Sequence, residues 1–183
     1  IEAFDYGILE SFQQIHSSVL TLLFQFFTWI GEGGAVWIAA GIALLVQKDK
    51  RKYGVIVILS LLLCLIFGNG LLKYAVARPR PCWRHPEVEM LISIPTDFSF
   101  PSGHTFSSFA AAVSITYWNK RYGMAAFLLA VIIAASRMYF FVHYPTDIAA
   151  GAVFGSVFAV ISIVIVEKLI MRSEKGRLLF SDK

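Results

Sequence analysis

Five apolar stretches divide the chain, and each is bounded by charged, glycine or proline residues. They cover residues 35–46, 54–72, 106–118, 123–142 and 148–166. Long uncharged runs of this kind are typical of helices that cross a membrane. The pattern therefore predicts an all-α integral membrane protein, a bundle of five to six transmembrane helices.

The first thirty residues carry two further patterns. Within residues 1–16, apolar positions recur at helical spacing with acidic and amide side chains between them, which predicts an amphipathic helix at the membrane interface. Residues 19–30 are apolar but too few to cross about 30 Å of hydrocarbon alone. We expect a re-entrant or tilted helix there, with a full span as the alternative, ended by the glycine turn at residues 31–34.

Composition supports the membrane interpretation. Of the 183 residues 57% are hydrophobic and only 15% are charged, whereas soluble domains carry about 25% charged residues. We expect one membrane-embedded domain over residues 1–183. Cys64 and Cys82 lie in an apolar run and a polar loop, so no disulfide is expected. The net charge of +4 does not predict nucleic-acid binding, because basic residues in a membrane protein first report its orientation. The oligomeric state stays open.

The basic residues predict which way the bundle faces. When the crossings are counted, 11 of the 16 lysines and arginines fall at one end of the bundle and five at the other. The richer end is cytoplasmic by the positive-inside tendency. We therefore expect a multi-pass protein of the plasma or bacterial inner membrane, with the histidines of the poorer end facing outward.

Cations from three separate segments meet at the outward end. Lys73, Arg80 and Arg137 would repel one another without an anion, and arginine forks match the oxygens of a phosphate. Arg137 lies within an apolar run, where a charge costs about 2.5–3.5 kcal/mol at the bilayer centre. Either its side chain extends to the interface, or it belongs to a phosphate site.

Acidic and histidine side chains accompany these cations. Asp147 lies four residues after His143 and just after Pro145, which can begin a helix. Asp147 either stabilises the helix start alone or accepts a hydrogen bond from one ring nitrogen of His143 and leaves the other as a nucleophile. His104 is either incidental or a proton donor to a leaving oxygen. Two histidines and one aspartate among cations would repel a divalent ion, so no metal is expected.

These residues form a three-part pattern. In order they read Lys73, six residues, Arg80-Pro81; Pro101-Ser102-Gly103-His104; Ser136-Arg137, five residues, His143, three residues, Asp147. The pattern resembles the signature of the type-2 phosphatidic acid phosphatases, a lipid phosphate phosphatase superfamily that shares its site with glucose-6-phosphatase and the vanadium haloperoxidases. All three parts, at residues 73–81, 101–104 and 136–147, are complete. The small size resembles bacterial members that act on undecaprenyl diphosphate or phosphatidylglycerol phosphate.

The resemblance implies a role for each residue. His143 would be the nucleophile that forms a phosphohistidine, Asp147 would orient it, and His104 would be the general acid. The phosphate oxygens would be held by Lys73, Arg80, Arg137, Ser102 and the Gly103 amide. Arg78 repeats the Arg-Pro pair without the family spacing, so it is expected either to contact a headgroup or second phosphate or to lie in the interface. No cofactor or metal is implied.

The expected function is hydrolysis of a lipid phosphate or diphosphate at the outer face of the membrane. Undecaprenyl diphosphate is favoured because it needs recycling on that face, and phosphatidylglycerol phosphate and phosphatidic acid are the other candidates. A lipid phosphotransferase with the same intermediate is one alternative. A non-catalytic lipid-phosphate binder or transporter is another, although binding alone needs cations and not a nucleophile with an orienting acid.

Overall fold

The computed structural model describes residues 2–170, which are mostly helical and contain no strand. The principal helices are α1 (Glu2–Gln14), α2 (Ser18–Ile30), α3 (Ala35–Leu45), α4 (Arg51–Leu63), α5 (Lys73–Val76), α6 (Pro81–Arg84), α7 (Gly103–Trp118), α8 (Lys120–Tyr139) and α9 (Pro145–Ile165). The predicted all-helical class is confirmed. Four of the 11 basic residues expected at the cytoplasmic end lie outside the described residues: Arg172, Lys175, Arg177 and Lys183.

Helix α7 is the centre of the bundle and packs against α4, α8 and α9. Its inner positions are small, and the side chains of Ser108, Ala110, Ala111, Ala112 and Ser114 are fully buried. Small side chains let helix backbones approach closely, which stabilises packing where lipid supplies no hydrophobic driving force. The indole of Trp37 on α3 donates a hydrogen bond of 2.9 Å to Ser108 Oγ and ties α3 to this centre.

Two glycines bring α9 against the start of α7. A Cβ at Gly151 would lie 2.9 Å from the Ser102 carbonyl oxygen, and one at Gly155 would lie 2.3 Å from that of Phe106. The close packing therefore depends on the absence of both side chains. It places the first turn of α9 beside residues 101–104.

Helix α4 continues into a π-helix over Cys64–Leu72 before α5 begins at Lys73. Ala77 then adopts the left-handed conformation, with φ 48°, and ends α5. Pro79 and Pro81 follow, so the helix cannot resume before α6. This irregular stretch turns the chain back and places Lys73 and Arg80 on the same cavity.

Three helical stretches among the described residues are long and apolar enough to cross a membrane: Lys48–Arg84, Lys120–Tyr139 and Pro145–Lys168. Ser18–Ile30 and Glu32–Leu45 meet the same criteria together, as a pair bent by 43°. Helix α7 has 16 residues, or about 24 Å, which is shorter than the hydrocarbon core. The integral membrane class is confirmed, and the count of five to six helices stays a prediction.

Helix α1 lies against α8 and α9. Leu9 is fully buried, whereas Phe4 on the other side of the helix is 61% exposed. Asp5 is also fully buried, which the amphipathic pattern does not predict. Helix α1 therefore contributes to the protein interior as well as to its surface.

Candidate active site

A cavity of about 840 Å³ lies at the end of the bundle where α7 and α9 begin. Its walls come from α2, α3, α4, the π-helix, α7, α8 and the loop at residues 92–97. Six predicted site residues line it: Lys73, Arg80, Gly103, His104, Arg137 and His143. Three separated parts of the sequence are thereby brought together, as their pattern predicts.

His143 follows a tight turn between α8 and α9. Phe141 in that turn has φ 56°, and the imidazole is 1% exposed. Nη1 of Arg80 lies 3.0 Å from His143 Nε2. A guanidinium has only donors, so Nε2 accepts and carries the lone pair. The proton of the neutral ring therefore belongs on Nδ1, and Nε2 is the nitrogen available as a nucleophile.

Nδ1 of His143 faces Asp147. Its distance to Asp147 Oδ2 is 3.6 Å, slightly longer than a hydrogen bond, and Ser99 Oγ lies 3.4 Å from the same nitrogen. Ser99 also donates a hydrogen bond to Asp147 Oδ2. The serine, which the sequence pattern does not single out, therefore lies beside both members of the His–Asp pair.

Asp147 has two functions at once. Its Oδ2 accepts a hydrogen bond of 3.0 Å from the backbone N–H of Tyr144, which caps the start of α9. The same fully buried carboxylate faces His143. The two interpretations of Asp147, helix cap and partner of the histidine, are therefore compatible.

Burial and charge keep His143 unprotonated. Removal from water lowers the pKa of His143 well below its ordinary value, and the positive charges of Arg80, Arg137 and Lys73 lower it further. A neutral imidazole at physiological pH is the form that can attack phosphorus.

Lys73 and Arg80 hold one carboxylate between them. Lys73 Nζ donates to Asp97 Oδ2, and Arg80 Nη2 donates to Asp97 Oδ1 at 2.6 Å. Arg80 Nε also donates to the Asp97 carbonyl oxygen at 2.7 Å. Partial burial alone would raise the pKa of Asp97, but these two cations outweigh it and lower the pKa to about 2. The two cations are thus arranged around an oxyanion.

Arg137 is buried inside the protein, with 4% of its surface exposed. The alternative in which it extends to the membrane interface is therefore wrong. Its Nη1 donates to Thr28 Oγ1, while its buried Nε has no hydrogen-bond partner among the described residues. A buried N–H donor that faces no acceptor is costly, and a phosphate oxygen in the cavity would satisfy it.

His104 lies between the end of α2 and the glycine turn. Its Nε2 is 3.2 Å from the Thr28 carbonyl oxygen and 3.5 Å from Glu32 Oε2. Thr28 therefore contacts both His104 and Arg137, although no motif in the sequence marks it. Glu32 is the carboxylate nearest to the expected general acid.

A family model described as the PAP2 superfamily matches residues 51–171, more than half of the chain, and covers all three parts of the pattern. The chain belongs to the PAP2 superfamily. It is 29% identical over 158 residues to an undecaprenyl-diphosphatase of Sulfolobus acidocaldarius. The alignment covers 85% of this chain and 76% of that relative. The predicted family is confirmed.

Two solved structures have the same fold. Aquifex aeolicus LpxE superposes with a TM-score of 0.77 at 27% identity, over 87% of this chain and 94% of the other. A PAP2-type phosphatidylglycerolphosphate phosphatase of Bacillus subtilis superposes with a TM-score of 0.74 at 21% identity, over 92% and 87%. The prediction of a membrane enzyme that acts on lipid phosphates is confirmed at the level of the PAP2 superfamily.

Two predicted phosphate ligands of this PAP2 protein differ in their placement. Gly103 lines the cavity. Ser102 is fully buried, its hydroxyl accepts a hydrogen bond of 3.1 Å from Thr105 Oγ1, and it is not among the residues that line the cavity. Its backbone N–H donates to the Asp147 carbonyl oxygen at 3.2 Å. Ser102 therefore joins α7 to α9 in this structure, while its role as a phosphate ligand stays a prediction.

Arg78 has partners other than a headgroup. Its Nη1 donates to Asp147 Oδ1 at 2.6 Å, and its Nη2 donates to Asp5 Oδ2 at 2.7 Å. The guanidinium also lies over the Tyr144 ring, 3.9 Å from its centroid. The structure thus assigns Arg78 to the far side of the His–Asp pair, where both terminal nitrogens bind carboxylates. Arg78 is not among the residues that line the cavity, and its contact with a headgroup stays a prediction.

The donor set of the PAP2 site suits an anion. Within residues 2–170, no three side chains among His, Cys, Asp and Glu converge as metal ligands, and the expectation that no metal is used stays a prediction. Both cysteines are free and buried.

Proposed function

We propose that this protein hydrolyses an isoprenoid lipid diphosphate, of the undecaprenyl diphosphate class, at the outer face of the membrane. The observation that supports it best is one cavity with two kinds of wall. Lys73, Arg80 and Arg137 form its charged end around the His143 nucleophile, while the side chains of Ile38, Ile58, Leu61, Leu62 and Leu65 form another wall.

The apolar wall suits a lipid tail. Leu62 and Leu65 are 48% and 57% exposed on the outside of the bundle, within a stretch apolar enough to cross the membrane. A lipid could therefore keep its tail in hydrocarbon while its phosphate reaches the cations. The short α7 places the charged end of the cavity near the membrane boundary, where such a headgroup lies.

The first chemical step uses the lone pair on His143 Nε2. This nitrogen attacks the terminal phosphorus in line, and a P–N bond forms as the P–O bond to the lipid phosphate breaks. Protonated His104 gives its proton to the leaving oxygen. Lys73, Arg80 and the free Nε–H of Arg137 stabilise the charge on the equatorial oxygens. Stabilisation of this kind by fixed donors is usually the largest single contribution to the rate enhancement.

The second step restores the enzyme. Water attacks the phosphohistidine, its proton passes to His104, and the P–N bond breaks to release inorganic phosphate. Asp147 and Ser99 keep Nδ1–H of His143 oriented through both steps. Asp97 must leave Lys73 and Arg80 for the substrate to enter.

The outward orientation rests on the charge distribution. Seven of the 11 basic residues at the opposite end lie among the described residues, just before or within the first turn of α4, at the start of α8 and after α9. They support a cytoplasmic position for that end. The site then faces the periplasm or cell exterior, as an enzyme that recycles a carrier lipid on that face requires.

Phosphate release from detergent-solubilised protein tests the function. Undecaprenyl diphosphate and phosphatidic acid are compared with and without a chelator, for the wild type, His143→Ala and His85→Ala. His85 is a matched control, because it pairs with Glu87 on the surface and does not line the cavity. We expect chelator-resistant release that is fastest on the diphosphate, is retained in His85→Ala and disappears in His143→Ala.

Other outcomes would replace the proposal. Release that survives in His143→Ala would exclude His143 as the nucleophile. Faster release from phosphatidic acid would exclude the isoprenoid diphosphate as the preferred class. Transfer of labelled phosphate to an added lipid alcohol in preference to water would identify a phosphotransferase.

A further inference from the structure

The N-terminal helix carries a buried charge that its amphipathic pattern does not explain. Asp5 on α1 is fully buried, although α1 otherwise lies along the outside of α8 and α9. An ionised carboxylate without water is stable only with donors around it. The identity of those donors indicates what Asp5 does.

Within residues 2–170, each donor to Asp5 is next to the catalytic machinery. Arg78 Nη2 donates to Oδ2 at 2.7 Å. The backbone N–H of Thr146 donates to Oδ1 at 3.1 Å, and the Thr146 hydroxyl donates to Oδ2 at 2.8 Å. Thr146 immediately precedes Asp147, and Arg78 lies two residues before Arg80. Asp5 therefore holds the two segments that carry the orienting acid and one phosphate-binding arginine.

A continuous chain of contacts leads from Asp5 to the nucleophile. Arg78 Nη1 donates to Asp147 Oδ1 at 2.6 Å, and Asp147 Oδ2 lies 3.6 Å from His143 Nδ1. One guanidinium is thus shared between two fully buried carboxylates. Asp5, Asp147 and Arg78 together carry one net negative charge, on the Nδ1 side of His143.

That remaining charge has a specific use. The cavity side of His143 faces the cations Arg80, Arg137 and Lys73, which withdraw electron density from the ring and oppose any positive charge on it. A carboxylate fully neutralised by its own arginine would offset this weakly. Because Asp5 takes a share of Arg78, Asp147 keeps more of its charge for the Nδ1–H of His143.

We propose that Asp5 is a positioning residue for the phosphatase reaction, acting through Arg78 and Thr146 on Asp147 and so on the nucleophilicity of His143 Nε2. This inference rests on the proposed role of His143. It assigns the N-terminal helix a part in the reaction, although that helix lies before every part of the family pattern and does not line the cavity.

The variant Asp5→Asn tests the inference, because it keeps the shape and removes the charge. We expect kcat to fall about 10-fold, since charge-assisted hydrogen bonds of this kind are lost. We expect KM to change less than twofold, because Asp5 does not touch the cavity. Burst labelling of the phosphohistidine gives the concentration of active sites, so that kcat is expressed per folded enzyme.

A matched control lies on the same helix. Glu2 does not line the cavity, and its Oε1 accepts a hydrogen bond of 2.8 Å from Arg84 Nη1 on the surface, where the two side chains are 70% and 44% exposed. We expect Glu2→Gln to keep the wild-type kcat. A double variant adds a second check, since Asp5→Asn should reduce kcat in an Arg78→Gln background by less than twofold if Asp5 acts mainly through Arg78.

A readout independent of turnover separates this inference from the proposed function. Diethyl pyrocarbonate modifies an imidazole through its free lone pair, and mass spectrometry gives the rate for His143. We expect that rate to fall severalfold in Asp5→Asn and to stay unchanged in Glu2→Gln. If the wild type released no phosphate from any lipid, the proposed function would fail. The modification rate of His143 would still test whether Asp5 affects its lone pair.

Three results would overturn the inference. The first is a wild-type kcat in Asp5→Asn, and the second is a loss explained entirely by fewer active sites. The third is an unchanged His143 modification rate. If Asp5→Asn does not fold, Thr146→Val removes one donor to Asp5 and one acceptor of Arg78 Nη1 while both carboxylates remain. We expect it to lower kcat severalfold with KM unchanged, and an unchanged kcat there would overturn the inference as well.

Discussion

Asp97 places one carboxylate oxygen on Lys73 and the other on Arg80, so that an internal anion lies where two predicted phosphate ligands converge. A substrate phosphate must displace this carboxylate before it reaches both cations. A residue of the protein itself therefore already offsets one positive charge of the free site. The low pKa of Asp97, about 2, means that the competing charge is present at every physiological pH.

Removal of this charge should tighten phosphate binding. We expect the inhibition constant of inorganic phosphate to fall about 10-fold in Asp97→Asn, because the amide competes poorly with an anion for two cations. The measurement is product inhibition of lipid hydrolysis. Glu89→Gln is the control, since Glu89 is an exposed acid of the same loop. Equal inhibition of Asp97→Asn and wild type would show that Asp97 does not compete with phosphate.

The buried state of His143 should make stability depend on pH. Burial and nearby cations keep its folded pKa well below the usual value, so the folded protein binds this proton less readily than the unfolded chain. The stability from the neutral ring is present above about pH 6.5 and is lost as the pH falls below it. We expect the Tm in detergent to fall more steeply from about pH 7 to about pH 5 for wild type than for His143→Gln. Parallel curves would contradict the low pKa.

The buried fork of Arg137 should be required for the reaction. A lysine keeps the charge but has no Nε–H and no planar fork, so we expect Arg137→Lys to lower kcat/KM about 100-fold, as loss of a preset donor does. Arg121→Lys makes the same exchange at the exposed beginning of α8. We expect it to behave as wild type. Similar values of kcat/KM for both variants would mean that Arg137 contributes only charge.

The contact between α7 and α9 should tolerate no added methyl group. A Cβ at Gly155 would lie 2.3 Å from the Phe106 carbonyl oxygen, and backbone must move to admit it. We expect Gly155→Ala to destabilise the protein by about 1–3 kcal/mol, measured as a lower Tm in detergent. Gly7→Ala is the control because a Cβ at Gly7 meets nothing within 4 Å. A wild-type Tm for Gly155→Ala would show that the helices can separate without cost.

The sequence predicted the cavity side of the site because its residues keep fixed spacings along the chain. The pattern around Lys73, His104 and His143 led to one cavity. Each prediction depended on local geometry. A helix start, a turn or a small-residue stripe fixes its side chains relative to one another whatever the distant chain does.

The residues that the sequence missed reach the site only through tertiary contacts. Asp5, Thr28, Ser99 and Asp97 belong to no common spacing with the histidines, so no pattern could select them among other polar residues. Arg78 illustrates the same limit. It and Arg80 look alike as Arg-Pro pairs, yet Arg78 follows directly on the left-handed Ala77 and binds Asp5 and Asp147. The direction of each arginine side chain depends on this backbone conformation, which cannot be read from the sequence.

The π-helix before Lys73 has a consequence for how such a site tolerates insertions and deletions. A wide turn of this kind accommodates one more residue than an α-helix does. A chain one residue shorter within Cys64–Leu72 could run as a regular α-helix and still direct the ammonium of Lys73 toward the cavity, because the wide turn is what absorbs the extra residue. Helix α8 is a regular α-helix, so the loss of one residue before Arg137 would rotate that side chain by about 100° around the helix axis. The helices that carry Lys73 and Arg137 therefore differ in how much change of length they allow.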